Sequence, residues 1–132
     1  MLNNPIHVQE IKLKNGVFLA PLAGVSDPPF RRICSELGSS LTFVEMLAAN
    51  AVMHGNDRTY RTMQRHPSEI LLGVQVTGPS APVITSAIKK LDRAGFDIID
   101  INMGCPVRKV IKKGWGCALI QDPQKTEEII NS

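Results

Sequence analysis

The sequence predicts an α/β fold in which helices cover a parallel sheet. Four short apolar runs, VFLAPLAG, LTFVEML, ILLGVQV and DIIDIN, have the length and composition of buried strands. They cover residues 17–24, 41–47, 70–76 and 97–102. Segments with helical periodicity follow the first, third and fourth runs, and parallel neighbours need such crossover connections. Strands that are apolar on both faces are typical of sheets covered by helices.

The first strand leads into a helix with clear start and stop signals. The run breaks at Pro21, Asp27 is a candidate N-cap, and Pro28 suits the first helical position. Gly38 is the expected end of this helix. Its apolar face consists of Phe30, Ile33, Cys34 and Leu37. We interpret Cys34 as a core residue on this face.

Two further helices are predicted after the third and fourth strands. Ser80 and Pro82 open the first of these, and its apolar residues keep the helical period up to Gly95. Asp122 and Pro123 begin the other, near the end of the sequence.

Within the α/β class, the turn after the first strand favours a (β/α)₈ barrel. It reads PLAGVSDPPF and lacks the GxGxxG pattern of a nucleotide-binding doubly wound sheet. The later GWGCAL has GxG spacing, but it follows a basic loop and not a strand. Barrels carry functional residues at the carboxyl ends of strands, where residues 21–24, Glu45, Gln75 and residues 102–105 fall. A complete barrel takes about 250 residues. The expected fold is therefore half of a (β/α)₈ barrel, with about four parallel strands and flanking helices.

Composition argues against several other classes of protein. The chain has 132 residues, of which 43% are hydrophobic, so one modest globular unit is expected. It has no apolar run of 18 residues and no signal-peptide pattern, which predicts a cytoplasmic protein without a membrane partner. Three cysteines without a CxxC pair and three scattered histidines favour neither disulfides nor a metal site.

Positive charge is concentrated after the fourth strand. Residues 101–121 contain no acid, and four cations occur within six residues. We call Arg108, Lys109, Lys112 and Lys113 the basic segment. A solvated surface is one interpretation, and contact with the phosphates of a nucleic acid or nucleotide is the other.

Four motifs together resemble the tRNA-dihydrouridine synthases, close to the bacterial B-type members. They are APLAGVSDPPFR, VEMLAAN, VQVTGPSAP and DIIDINMGCPVRKVIKKGWGCALIQDP, and they follow the family's order from about residue 11 onward. The resemblance implies an FMN-containing barrel that reduces uridine in tRNA to 5,6-dihydrouridine, with NADPH as reductant. It also implies that residues 1–132 are a truncated catalytic domain, without the second half-barrel and the helical RNA-binding domain, and inactive alone.

The resemblance assigns the role of catalytic acid to Cys105 in the NMGCP loop. Hydride from the flavin would reach C6 of the uracil, and the thiol would protonate C5 from the opposite face. A free thiol is mostly protonated at neutral pH, whereas the neighbouring Arg108 and Lys109 favour the thiolate, so the sequence leaves this point open. A small buried cysteine is the structural alternative.

The resemblance also implies cofactor and substrate contacts. The flavin contacts are Pro21, Leu22, Ala23 and Gln75. The substrate contacts are Asn102, Arg108 and Lys109. An amide at Gln75 could pair with the flavin pyrimidine ring, and one at Asn102 could hold the uracil edge. The structural alternatives are a core amide satisfied by backbone and a turn-forming asparagine.

The chain departs from the family pattern at two positions beside this loop. Trp115 stands between two glycines where the family usually has a small residue, and Cys117 stands where serine is more common. We interpret Cys117 as tolerated packing, and expect Trp115 to alter the loop.

Three other functions remain open from the sequence. Another FMN barrel, such as a dihydroorotate dehydrogenase, can carry an NxSCPN loop, but Gly104 and Val107 replace its serine and final asparagine. A non-catalytic RNA-binding module would use the basic segment without a flavin. The third is an inactive fragment that covers its open sheet edges by self-association.

Overall fold

The computed structural model describes residues 4–132 and contains a parallel sheet of four strands. A short antiparallel hairpin of β1 (Ile6–Val8) and β2 (Ile11–Leu13) precedes the sheet. The sheet strands are β3 (Phe18–Leu19), β4 (Leu41–Ala48), β5 (Leu72–Thr77) and β6 (Ile98–Ile101). The hairpin was not predicted, and the first sheet strand is shorter than its apolar run because the PLAG portion forms a turn.

Six α-helices and one 3₁₀-helix connect or follow these strands within residues 4–132. They are α1 (Pro28–Glu36), α2 (Ala49–His54), α3 (Asp57–Thr62), α4 (Ala81–Arg93), α5 (Arg108–Ile111), the 3₁₀-helix (Gly116–Gln121) and α6 (Pro123–Ile130). The three predicted helices are α1, α4 and α6. Asp27 and Asp122 cap α1 and α6 as expected, since each carboxylate accepts a hydrogen bond from a backbone N–H of the first turn.

The strand order confirms the predicted fold class. The strands lie in the order β3-β4-β5-β6, and each is parallel to the next. A doubly wound sheet reverses its order at a switch point, whereas a barrel adds each strand beside the last. The sheet is thus an α/β arrangement consistent with half of a (β/α)₈ barrel.

The hydrophobic core lies between one face of the sheet and the helices. Its buried members from the strands are Val44, Leu47, Leu72, Val74 and Val76. Ile84, Ala87 and Leu91 of α4 pack against this face together with Leu119 and Ile129. We call the opposite face of the sheet the inner face. The side chains of Phe43, Gln75 and Asp100 belong to it, because they alternate with the core residues along their strands.

The apolar face of α1 is largely exposed, unlike a typical core-facing helix. Ile33 is 52% exposed and Leu37 is 83% exposed, and Cys34 is only half-buried. This helix flanks the edge strand β3, and the two form a groove of about 570 Å³ that Phe18 and Leu37 help to line. Cys34 also lines this groove.

The buried residue of α1 is instead a cation, Arg31. Its guanidinium binds the Glu69 carboxylate at 2.8 Å, and both side chains are fully buried. Three backbone carbonyls accept its remaining hydrogen bonds, those of Ser26, Thr62 and Gln64. The pair therefore ties α1 to the segment between α3 and β5, and to the turn that ends at Ser26.

No helix in the described part of the chain has the length and apolar character needed to cross a membrane.

Candidate functional site

Polar side chains of β5 and β6 meet on the inner face near the carboxyl edge of the sheet. The parallel register places Gln75 directly beside Asp100. The Gln75 Nε2 group donates to Asp100 Oδ2 at 2.6 Å, and Gln75 Oε1 accepts from Asn102 Nδ2 at 2.9 Å. Asn102 Oδ1 in turn accepts from the Cys105 backbone N–H at 3.0 Å. We call this series of Cys105, Asn102, Gln75 and Asp100 the amide row.

The amide row brings together three residues that the sequence singled out separately. Gln75 is buried, and its hydrogen-bond partners are side chains, not the backbone groups expected of an ordinary core amide. Asn102 does form a turn, because its side chain holds the N–H of Cys105 three residues later. Both amides keep a further donor and acceptor beyond these bonds.

The loop that carries Cys105 is held from both sides. Its N–H is bound by Asn102, and its C=O accepts a hydrogen bond from the N–H of Cys117 at 3.1 Å. The close approach of the 3₁₀-helix depends on Gly116, which has a φ of +61°. A Cβ at this position would lie 2.6 Å from the Cys105 carbonyl oxygen. The thiol-bearing residue itself is half-buried, so its backbone is fixed while its side chain keeps some access.

The PLAG turn follows β3 at the same edge of the sheet. Ser26 closes this turn, since its hydroxyl accepts from the Leu22 N–H at 3.0 Å and can donate to the Leu22 C=O at 3.1 Å. Glu45 of β4 holds the other side of the turn by accepting from the Gly24 N–H at 2.5 Å. Leu22 and Ala23 are exposed and Pro21 is half-buried. The turn thus presents its main chain at the edge.

The basic segment lies directly after the Cys105 loop, with Arg108 and Lys109 on α5 and Lys112 and Lys113 just after it. All four cations are exposed, and none has a carboxylate within ion-pair distance among residues 4–132. The Lys113 ammonium lies 4.6 Å from the centre of the Trp115 ring, an arrangement that permits a cation–π contact. These positive charges beside Cys105 are suited to phosphate groups.

Another cation after α3 has a structural partner. Arg65 binds the Asp97 carboxylate, which also accepts from the Leu72 N–H at 2.9 Å. This pair lies at the amino end of β6, away from the Cys105 loop. Arg65 therefore stabilises the sheet.

Sequence reasoning assigned no chemical role to two carboxylates that organise this edge, Glu45 and Asp100. Both interrupt apolar strand runs, in VEML and DIID, as Gln75 does in ILLGVQV. In the described part of the chain, no three His, Cys, Asp or Glu side chains are grouped to hold a metal ion.

Comparison with known proteins gives one consistent family. The family model described as "Dihydrouridine synthase (Dus)" matches residues 18–132. The chain is 38% identical over 126 residues to tRNA-dihydrouridine synthase B of Pasteurella multocida (strain Pm70), covering 96% of this chain and 38% of that protein. It is 37% identical over 127 residues to a tRNA-dihydrouridine(47) synthase NAD(P)(+)-like protein of Xenopus laevis, covering 96% of this chain and 20% of that protein.

A plant protein gives a similar match. The chain is 36% identical over 121 residues to a tRNA-dihydrouridine(47) synthase NAD(P)(+)-like protein of Arabidopsis thaliana, covering 91% of this chain and 18% of that protein. The chain thus spans from 18% to 38% of the length of these three relatives.

Proposed function

Because the chain belongs to the dihydrouridine synthase family, we propose that it carries the Cys105 side of the active site of a tRNA-dihydrouridine synthase. The reaction is the reduction of uridine in tRNA to 5,6-dihydrouridine, with FMN as cofactor and NADPH as reductant. The amide row is the observation that carries this proposal, since it joins Gln75, Asn102 and Cys105 at one edge of the sheet. A cytoplasmic location goes with this function.

Residues 1–132 are proposed to be the N-terminal part of a catalytic barrel. The sequential parallel order of the strands supports this, as do the open edges at β3 and β6. The relatives named above are at least twice as long as the matched region. A second half-barrel would pair with these two edges, and would be needed for activity.

The residues at the edge fit the flat, polar ring system of a flavin. Gln75 keeps one N–H and one acceptor lone pair, which suits the alternating donors and acceptors of a pyrimidine edge. The turn at Pro21, Leu22 and Ala23 carries no charged side chain, so a ring could approach its main chain closely. When bound, FMN reduced by NADPH would supply the hydride that reaches C6 of the uracil.

The chain's own residues would position the base and deliver the proton. The remaining N–H and lone pair of Asn102 can hold the uracil edge. Cys105 would transfer the proton from its Sγ to C5, on the face opposite the hydride, which completes addition of hydrogen across the C5–C6 double bond. Arg108 and Lys109 of the basic segment would bind tRNA phosphates beside the loop.

The competing functions differ in whether a flavin is bound and in which substrate reacts. The match over residues 18–132 favours tRNA reduction over dihydroorotate oxidation. A non-catalytic RNA-binding module is favoured only by the exposed basic segment, and it would bind tRNA without flavin absorbance.

The proposal is tested with the complete gene product and unmodified tRNA. Purified protein is expected to show flavin absorbance and to form dihydrouridine with NADPH, and Cys105→Ala should reduce this rate on the order of 10²-fold or more while flavin stays bound. Cys34→Ala is the matched control, because Cys34 lies on α1 away from the amide row and should keep the parental rate. Dihydrouridine formation by Cys105→Ala at the rate of the control would reject the acid role. Protein without flavin or activity would reject the proposed function.

A further inference from the structure

The hydrogen bonds of the amide row can run in one direction only. The backbone N–H of Cys105 can only donate, and an ionised carboxylate at Asp100 can only accept. Each side-chain amide between these ends must therefore donate toward Asp100 and accept from the side of Cys105. Gln75 and Asn102 both have this orientation. The two end groups thus determine which way both amides face.

We infer that Asp100 is a positioning residue for Cys105. Asp100 has no direct bond to the Cys105 loop, and acts through the side chains of Gln75 and Asn102. Its importance for uridine reduction rests on the proposed function, but its effect on the loop does not.

Two features of the structure make this coupling strong. The bond between Gln75 Nε2 and Asp100 Oδ2 is short at 2.6 Å, as charge-assisted hydrogen bonds are. The two residues are also partners in the parallel register of β5 and β6, so the backbone fixes their separation. Hydrogen bonds in series polarise one another in a partly buried setting, which favours a single arrangement.

Removing the charge of Asp100 leaves the Cys105 N–H as the one remaining end group that sets the direction, and its neutral hydrogen bond is weaker than a charge-assisted one. In Asp100→Asn the new side chain can offer either its oxygen or its NH₂ group to Gln75. If the NH₂ group faces Gln75, the Gln75 amide turns over to present its oxygen, and the Asn102 amide must turn over as well. The NH₂ group of Asn102 then faces the Cys105 N–H. Two donors face each other there, so the loop loses the hydrogen bond that holds Cys105.

Asp100 also determines which hydrogen-bond donors and acceptors the inner face presents to a ligand. Because the orientation of both amides is fixed, the free donor and acceptor of Gln75 and of Asn102 occupy defined places on the inner face. A turned amide would exchange donor for acceptor and would mismatch the ring edge that it was meant to bind. The carboxylate thus fixes the recognition pattern without touching the ligand.

Amide hydrogen exchange by NMR tests the effect on the loop directly. The Cys105 N–H in the ligand-free complete gene product is expected to exchange roughly tenfold faster in Asp100→Asn, because the turned arrangement that lacks this loop hydrogen bond becomes accessible. Asp97→Asn is the matched control, because Asp97 precedes the same strand and binds Leu72 and Arg65, not the amide row. It is expected to leave the Cys105 exchange rate unchanged relative to neighbouring loop amides.

A second variant keeps the test decisive if Asp100→Asn does not fold. Gln75→Met has a similar volume and breaks the row at its centre without changing the charge, and it should give the same faster exchange at Cys105. In an Asn102→Ala background the further change Asp100→Asn should have no added effect, because the connection is already lost. Unchanged exchange in the folded single variants, or a full effect in the Asn102→Ala background, would overturn the inference.

The catalytic consequence is measured separately in the flavin-bound complete enzyme. Asp100→Asn should lower kcat for uridine reduction, measured per bound flavin, about tenfold or more, whereas Asp97→Asn should keep kcat. If the parental enzyme forms no dihydrouridine, the proposed function fails, while the exchange experiment still decides the role of Asp100. Faster exchange with parental kcat would refute the catalytic part of the inference.

Discussion

Breaking the buried ion pair between Arg31 and Glu69 should destabilise the fold more than any surface substitution. The Glu69 carboxylate accepts three hydrogen bonds, from Arg31 Nε, the Thr42 hydroxyl and the His66 N–H, each at 2.8 Å. The variant Glu69→Gln is nearly isosteric but neutral. It leaves the guanidinium of Arg31 fully buried without a counter-charge.

The expected magnitude follows from burial and from the partners that remain. Removing one member of a buried ion pair typically costs about 3–5 kcal/mol, and a domain has about 5–15 kcal/mol of unfolding free energy in total. The three carbonyl oxygens around the guanidinium offset part of the loss. We therefore expect about 3 kcal/mol, which corresponds to a fall in thermal midpoint of roughly 10 °C.

The matched control is the same substitution at the neighbouring ion pair. Glu36 binds Arg32 at 2.7 Å, but both side chains are about half exposed. The hydrogen bond from Arg32 lowers the pKa of Glu36, yet exposed pairs contribute little to stability because water screens them. Glu36→Gln is expected to leave the midpoint of unfolding essentially unchanged.

Denaturant and thermal unfolding followed by circular dichroism measure both variants. A double-mutant cycle with Arg31→Met and Glu69→Leu should show strong coupling, so that the double variant loses less stability than the two single variants together. Equal midpoints for Glu69→Gln and Glu36→Gln, or additive effects in the cycle, would refute the reasoning that the buried charges depend on each other.

Three further predictions concern the loop, its charge and the sheet edges. Neutralising all four cations of the basic segment should weaken tRNA binding and reduce its salt dependence by a slope of roughly 0.7–0.9 per lost contact; an unchanged slope in a salt titration would make them a solvated surface. Gly116→Ala should cost about 1–3 kcal/mol of unfolding free energy, because the residue has positive φ and approaches the Cys105 carbonyl. Gly104→Ala, which has open space at its Cβ, is the control and should be near neutral in the same denaturation assay. The 132-residue chain should dimerise or aggregate through the open edges β3 and β6 and the groove beside α1; a stable monomer in size exclusion with light scattering would contradict this.

The sequence by itself located the longer strands and the capped helices. The runs near β4, β5 and β6 were recognisable because their residues are apolar over a strand's length, and α1 and α6 because an aspartate and a proline mark each start. These signals are local and need no partner. The short helix α2 was missed because its segment, AANAVMH, continues the second strand without a break. Both α2 and α3 have six residues, and helices this short depend on tertiary contacts more than on propensity.

Local sequence also identified the loop around Cys105, because its glycine, cysteine and proline are contiguous. Only the tertiary structure decided which distant groups hold that loop and which side of α1 is buried. Gln75 and Asp100 are 25 residues apart, and Arg31 and Glu69 are 38 residues apart. The first pair is set by the register of two parallel strands, and the second by the approach of a helix to the segment before β5. Helical periodicity in α1 indicated one apolar side but could not show that Arg31 would be buried, because its burial depends on the distant Glu69 carboxylate and three backbone carbonyls that compensate its charge.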